Sequence, residues 1–557
     1  MSAVETGTDD LAAFRRPPAQ VMRLERLGSS HPTRLSFLRT LLRRVEREGW
    51  RFDRPVWDVD ERGVGHAVYR VRCGPHDRTY SLVAFAHDLP PAMRSDRVIA
   101  TAWDATFTLF DGELAKGDIA RLAANVPLQE AGRVSRRELT LSRANRSVRL
   151  FDHVVERLAQ GLQPDAETLA SVGYLMRTTA VYGSGKFGAA DRSAIADREE
   201  MAAPFQAEML TVWLIRAFTV DIVEHLARCR GGERAVPLDR TLRRSLGVGN
   251  STGLGMAPFL AKHPILIHAW MAAREEALAR VRALPAAAGP DVTAFEDALR
   301  AARENAAAWR SEHRVQMPKL EALRGDLTRL RTRAQTFDWN GPHPWDVLWR
   351  WGTEHLTPEG QEALLALLLE PHGPLVDGLA ERMGADEDFS LDGAMRVADL
   401  RRALRDRYDW ALRLDRDDPA SSARFWYVSE EKLEPRLGER VLEPGADREQ
   451  PLDIARQVAL LDAALDGRDA GEPVAALLLE RPDLRFTVRR VQTVMRHPYG
   501  EIHDNLVAAE MLPIDLLRCK LAYLGASRFD PRSDRWVRIS LFQDMPFPDE
   551  IAASAFS

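Results

Sequence analysis

LGVGNSTGLGMAPFLAKHP, residues 246–264, places four glycines, Gly247, Gly249, Gly253 and Gly255, within nine positions, with Asn250, Ser251 and Thr252 among them. The residues on both sides read as helix. This run therefore decides whether the middle of the chain is a plain helical bundle or carries a stretch of exposed backbone. A helix–helix connection ordinarily needs ~2–8 residues and a single glycine. Four glycines with three hydroxyl or amide side chains exceed that need, so the run predicts a ligand-binding loop. Glycine allows positive φ and close approach of backbone to ligand. Pro258 suits the first turn of a following helix, whose unpaired N–H groups and dipole attract anions. Gly249, Asn250, Thr252 and Gly253 then supply donors, and Lys262 and His263 complete a site for a carboxylate or phosphate.

A second run, Tyr182-Gly-Ser-Gly-Lys-Phe-Gly188, matches G-x-G-x-x-G at Gly183, Gly185 and Gly188. Residues 166–180 read as helix and no strand is expected before residue 230. The βαβ setting of a dinucleotide fingerprint is thus missing. Ala180 stands where a Walker loop needs its first glycine. The expectation is a flexible loop in which Lys186 closes over an anionic ligand, with Arg177 upstream and Tyr182 and Ser184 beside it. Both runs are expected to face one pocket of a common helical core.

Composition sets the outer bounds. The chain has 557 residues, which at roughly 100–200 residues per domain suggests about three domains. A hydrophobic share of 45% and a charged share of 29% suit a globular protein. The formal net charge of −5 offers no basic field for nucleic acid. Three cysteines, Cys73, Cys229 and Cys519, form no C-x-x-C pair, which argues against a disulfide framework or thiolate zinc site. The first residues lack an apolar signal core, and no apolar run reaches the ~18 residues of a membrane span. A cytoplasmic protein follows, and the wealth of Ala, Arg, Leu and Asp suggests a high-GC bacterial genome.

Along the chain, residues 1–30 read as a polar, loosely docked arm. Residues 31–115 read as a small α+β domain: a helix at 32–49, a hairpin from 64–72 and 80–86, and a strand at 98–109. Residues 116–336 form a helical core with both glycine runs, with helices at 116–124, 146–160, 166–180, 204–229, 258–283, 292–311 and 316–335. Leu320, Leu323, Leu327 and Leu330 mark one stripe of the last of these. Residues 337–557 form an aromatic-rich, mostly helical lobe with strands at 424–429 and 536–542 that are candidates to pair, and a last helix at 501–523. The fold class is mainly α, with a small N-terminal antiparallel sheet and a few C-terminal strands.

Other clusters carry weaker chemistry. His497, Glu501, His503 and Asp504 lie within one short segment, and His497 is a candidate acid–base group. Their spacing matches no metal pattern, so no metal is expected. Trp345, Trp349 and Trp351 read as core with polar edges. Ser251, Met256, Pro258, Lys262 and Pro264 resemble the mobile serine-rich loop of the fumarase/aspartase lyase superfamily. That pattern sets two serines just before Met-Pro and has no Gly-Leu-Gly insert, so this chain departs from it. The resemblance implies Ser251 as a proton acceptor.

The expected function is an enzyme holding a small anionic metabolite between the two runs and performing lyase-type acid–base chemistry, with Ser251, Lys186 and His497 moving protons. The cofactor is unknown. An atypical flavin or nicotinamide oxidoreductase is the enzymatic alternative, and a non-catalytic helical scaffold using the 292–335 helix pair is the other. The aromatic-rich lobe is a candidate cover for the site or contact for a homo-oligomer.

Overall fold

The computed structural model describes residues 11–74, 77–90, 92, 102–115, 117–127, 137–178, 198–201, 203–253, 263–309, 316–381, 383, 391–415, 425–429, 433–436, 446–451, 454–503, 518–526, 528–531 and 536–554. The chain divides into two compact units, one of residues 36–252, 524–530 and 537–557, the other of 1–35, 253–523 and 531–536.

The first unit is built on a sheet. Its strands are β1 (Arg51–Val59), β2 (Gly65–Cys73), β3 (Arg78–Ala86), β4 (Ala105–Asp111), β5 (Glu138–Arg146), β6 (Tyr174–Thr178) and β7 (Gly247–Gly253). β1 to β6 pair in chain order, each antiparallel to the last, and β7 is parallel to β6. The sheet continues through β12 (Trp536–Leu541) to β11 (Arg528–Pro531), making nine strands among the described residues. It therefore runs well past residue 115, where the sequence placed the end of a small domain. Residues 80–86 are all buried, as expected of a strand covered on both faces. On one face Val83, Phe85, Phe110 and Leu141 pack with Leu122 and Val126 from and beside helix α2 (Asp118–Asn125).

The other face meets α5 (Gln206–Gly231), most of whose 26 residues are buried, polar ones such as Gln206, Glu208 and Arg216 among them, as in a helix enclosed by its neighbours. Phe218 of α5 meets Phe107 edge to face at 5.4 Å, and the Thr211 and Thr140 hydroxyls are 2.7 Å apart. Helices α1 (Phe37–Arg47) and α3 (Phe151–Ala159) flank it. Arg216 of α5 is 1% exposed and donates to the carbonyls of Leu246, Arg244 and Met545. That guanidinium ties the approach to β7 to the C-terminal residues.

The second unit is helical. Its centre is α7 (Pro264–Arg282), packed by α10 (Pro344–His355), α11 (Pro358–Leu369), α12 (Gly373–Glu381) and α16 (Arg485–Arg496). Helices α8 (Gly289–Ala308) and α9 (Gln316–Gln335) form the expected pair, with Leu320, Leu323, Leu327 and Leu330 all buried. α13 (Val397–Leu412) and α14 (Ile454–Leu465) pack with α16, and β8 (Phe425–Ser429) lies between β9 (Leu433–Arg436) and β10 (Ala446–Pro451). The strands at 424–429 and 536–542 thus do not pair: β8 belongs to this three-stranded sheet and β12 lies beside β7. Residues 501–503 are not helical, so the helix expected to start at 501 does not.

Residues 11–35 are not a loose arm. Val21, Met22 and Leu27 are buried, and Arg16 is 4% exposed. The Arg16 guanidinium meets Glu275 through two nitrogens at 2.8 Å and Glu362 at 2.8 Å. Arg274 reaches Glu362 at 3.2 Å and Arg26 reaches it at 3.5 Å. A segment that looks polar in sequence is inserted because its arginines meet buried carboxylates contributed by α7 and α11. Among the described residues no single helix is long and apolar enough to cross a membrane.

Candidate functional site

The parallel pair β6–β7 organises the candidate site, and neither strand was expected. α4 (Ala166–Val172) stops where Gly173 adopts φ 77°, a left-handed C-cap. The next five residues, Tyr174–Thr178, form β6. The glycine run is a strand at 247–253, not a loop. Two of its glycines answer to packing. A Cβ on Gly249 would lie 2.7 Å from the Tyr174 ring, and one on Gly247 would lie 2.4 Å from the Leu541 carbonyl oxygen of β12. These glycines bring a ring and a neighbouring strand close, which no larger residue permits.

Asn250 is 1% exposed and donates its side-chain amide to the Thr178 carbonyl at 3.0 Å. Part of the donor capacity assigned to a ligand is thus spent on locking β7 to β6. Arg177 is 4% exposed and lies in register with Gly249 on one side and Asn145 on the other. Ser251, Thr252 and Gly253 belong to β7. His263 is the N-cap of α7, which starts at Pro264 rather than at 258. Tyr182, Gly183, Ser184, Gly185, Lys186 and Lys262 lie outside the described residues.

The register fixes a direction. Gly65, Ala86, Ala105, Ala144, Thr178 and Asn250 form one row across the sheet. β6 and β7 run the same way as β4, but the row sets Thr178, the last residue of β6, and Asn250 level with Ala105 at the start of β4, six residues short of Asp111, about 20 Å along the strands. Arg198 donates to Asp111, at the far end of β4, from Nε at 3.0 Å and also from Nη2.

A separate cleft of about 390 Å³ opens at the Asp111 end of β4, away from the row of Thr178 and Asn250, and is lined by Arg78, Thr79, Asp111, Gly112 and Arg198. Arg137 adds a third guanidinium, donating to the Asp111 carbonyl at 3.1 Å. Behind the cleft, the buried Glu200 carboxylate accepts from the Tyr80 hydroxyl, and Arg78 approaches it at 3.8 Å. Arg44 donates to the backbone carbonyls of Glu199 and Glu200 at 3.0 and 2.8 Å. Glu200 raises the affinity of Arg78 for its proton. Burial, and then the hydrogen bond to Glu200, push the Tyr80 phenol up, so Tyr80 is a fixed donor. Burial likewise raises the Cys73 thiol, which leaves it protonated and poorly nucleophilic.

Sequence reasoning did not single out Arg78, Thr79, Asp111, Arg198, Tyr80 or Glu200. Two strands, β3 and β4, and a short turn at 198–201 supply them, so they form no local motif. Arg198-Glu-Glu200 reads in sequence as one more solvated charge run.

His497 lies in the helical unit. Its ring centroid is 5.0 Å from that of His268 on α7, and the Tyr499 N–H donates to His268 Nδ1 at 3.1 Å. Burial, with His497 and Arg15 adding to it, lowers His268 to about 4, so His268 is neutral at pH 7. Glu501 is fully buried and accepts from the Tyr408 hydroxyl at 2.9 Å and from Arg490 Nη2 at 2.8 Å, an internal structural pairing. Among the described residues no group of three or more His, Cys, Asp or Glu side chains is placed to hold a metal ion.

In comparison with known proteins, the chain matches no family model, no curated protein and no solved structure.

Proposed function

We propose that this protein is an enzyme that binds a small anionic metabolite at the carboxyl end of β6 and β7. The observation that carries the reading is the parallel pair itself. It brings Thr178, from which the first glycine run departs, beside Asn250 of the second. In sheets with parallel strands, ligands bind outside the carboxyl ends, where the topology changes. Here the change is from an antiparallel meander to a parallel pair. Arg177, in register with Gly249 and next to Thr178, is the candidate to supply charge there for a carboxylate or phosphate. Lys186 is the candidate cation of the first run, and Ser251, with Lys186, the candidate for proton transfer in lyase-type chemistry.

The test is calorimetric titration of the purified chain with a panel of mono- and dicarboxylates and phosphate monoesters. The reading expects one class to bind and Lys186→Ala to weaken it at least tenfold. Binding that is indifferent to Lys186 and Ser251 overturns it.

One observation favours a nucleotide cofactor as a second reading. G-x-G-x-x-G follows a strand and is followed by a helix and a parallel strand, so the sequence argument against a βαβ setting no longer stands. Against it, α5 begins only at Gln206, and its buried first turn carries Glu208, a carboxylate where a phosphate would sit. Absorbance and native mass spectrometry of freshly purified protein separate the two readings: a co-purified flavin or nicotinamide decides for the second.

A further inference from the structure

The two faces of the sheet differ in kind near the row of Thr178 and Asn250. Side chains alternate along a strand, and residues paired across strands share a face. The row itself, with Ala86, Ala105 and Ala144, shares a face with Phe107 and Thr140. Those two meet Phe218 and Thr211 of α5, so α5 covers that face. Thr106, Arg143, Asn145 and Arg177 flank the row and point the other way. They share a face with Val83, Phe85 and Leu141, which pack against Leu122 of α2. This face is apolar beside α2 and turns polar at the row. Thr106 is 0% exposed, Arg177 4% and Asn145 6%. His87, one residue past β3, brings Nε2 to 3.1 Å from the Thr106 hydroxyl. Buried cations call for anions, and a guanidinium has five N–H donors, enough for a protein partner and a ligand together.

Arg143 lies flat on the Trp103 ring, 4.2 Å from its centroid, which leaves the N–H edge of the guanidinium for a carboxylate. Asn145 Oδ1 accepts from the Asp104 N–H at 3.0 Å, which makes its amide nitrogen the end that donates elsewhere. Arg177 pairs directly with Asn145, and Arg143 lies two residues along β5. The two arginines are therefore diagonal neighbours, about 7–8 Å apart.

We infer that the bound anion lies on this face of the sheet and is a short dicarboxylate, with one carboxylate on Arg143, the other on Arg177, and Asn145 between them. This deepens the proposed function and rests on it for the end of the sheet. Two guanidiniums held apart on neighbouring strands match two separated charges better than one compact phosphate.

The experiment is calorimetric titration at fixed ionic strength with succinate, butyrate and inorganic phosphate. It uses wild type, Arg143→Met and Lys186→Ala. Wild type binds succinate at least tenfold more tightly than butyrate or phosphate. A smaller preference over either overturns the inference. Arg143→Met weakens succinate at least tenfold and erases the preference over butyrate, a change in selectivity that loss of folded protein alone does not produce. A folded Arg143→Met that keeps the affinity or the preference overturns the inference. If Arg143→Met does not fold, Arg143→Lys takes its place. It keeps the charge and loses the planar fork, and a retained wild-type affinity for succinate overturns the inference. The two proposals fail separately. Loss in Arg143→Met with no effect of Lys186→Ala sinks the glycine-run site and keeps the sheet-face site. Loss in Lys186→Ala with none in Arg143→Met does the reverse, as does phosphate bound through Lys186 in preference to succinate.

Discussion

Replacing Glu362 with Gln tests the buried ionic cluster of the helical unit. Glu362 is 1% exposed and faces Arg16, Arg274 and Arg26 at 2.8, 3.2 and 3.5 Å. Burial alone would raise its pKa, yet the arginines, Arg16 foremost, hold it down at about 2 against an ordinary 4.5. At 1.36 kcal/mol per unit, that depression corresponds to roughly 3 kcal/mol of stability. The value agrees with the ~3–5 kcal/mol lost when one partner of a buried pair is removed. The sign follows from the depression. The contribution is complete above 4.5 and is lost as pH falls from there through about 2. Glu362→Gln, which keeps the shape and removes the charge, should therefore destabilise the helical unit by about 3 kcal/mol at pH 7. The gap to wild type should shrink to roughly half by pH 3. The assay is pulsed hydrogen exchange across a urea series, read on peptides from 264–282 by mass spectrometry. A gap below about 1 kcal/mol at pH 7, or one that holds or widens toward pH 3, refutes the reasoning.

Three further outcomes follow from single contacts. Gly249→Ala drives a methyl into the Tyr174 ring and should cost about 1–3 kcal/mol, read by thermal unfolding, with Tyr174→Ala relieving part of the loss. Tyr80→Phe strips the hydroxyl donor from the buried Glu200 carboxylate and should cost about 1–3 kcal/mol in urea unfolding; a neutral result contradicts the buried pairing. Arg216→Lys cannot reach the carbonyls of Leu246, Arg244 and Met545 together, so limited proteolysis near 545–554 should become faster in the variant.

Most helices were legible because their signal is local. The leucine stripe of α9 carries its own periodicity, and the bounds of that helix agree with expectation. The hairpin of β2 and β3 was legible for the same reason. β6 was hidden because a five-residue strand follows α4 with only Gly173 between them. β7 was hidden because its composition is that of a turn. Its glycines are there for the Tyr174 ring and the β12 backbone, partners remote in sequence. The insertion of residues 11–35 was illegible because Arg16 reads as solvated until Glu275 and Glu362, far along the chain, are seen beside it. Of the candidate site, the sequence located the two glycine runs. It missed the separate cleft of Arg78, Asp111 and Arg198, whose residues are remote from one another in sequence.

The central claim is that the two glycine runs serve one anion at the carboxyl end of β6 and β7. Hydrogen–deuterium exchange with and without a saturating carboxylate tests it most directly. The account predicts that peptides spanning 174–200 and 246–262 slow together on binding, while 316–335 is unchanged. Slowing confined to one of the two runs, or appearing only in the helical unit, contradicts it.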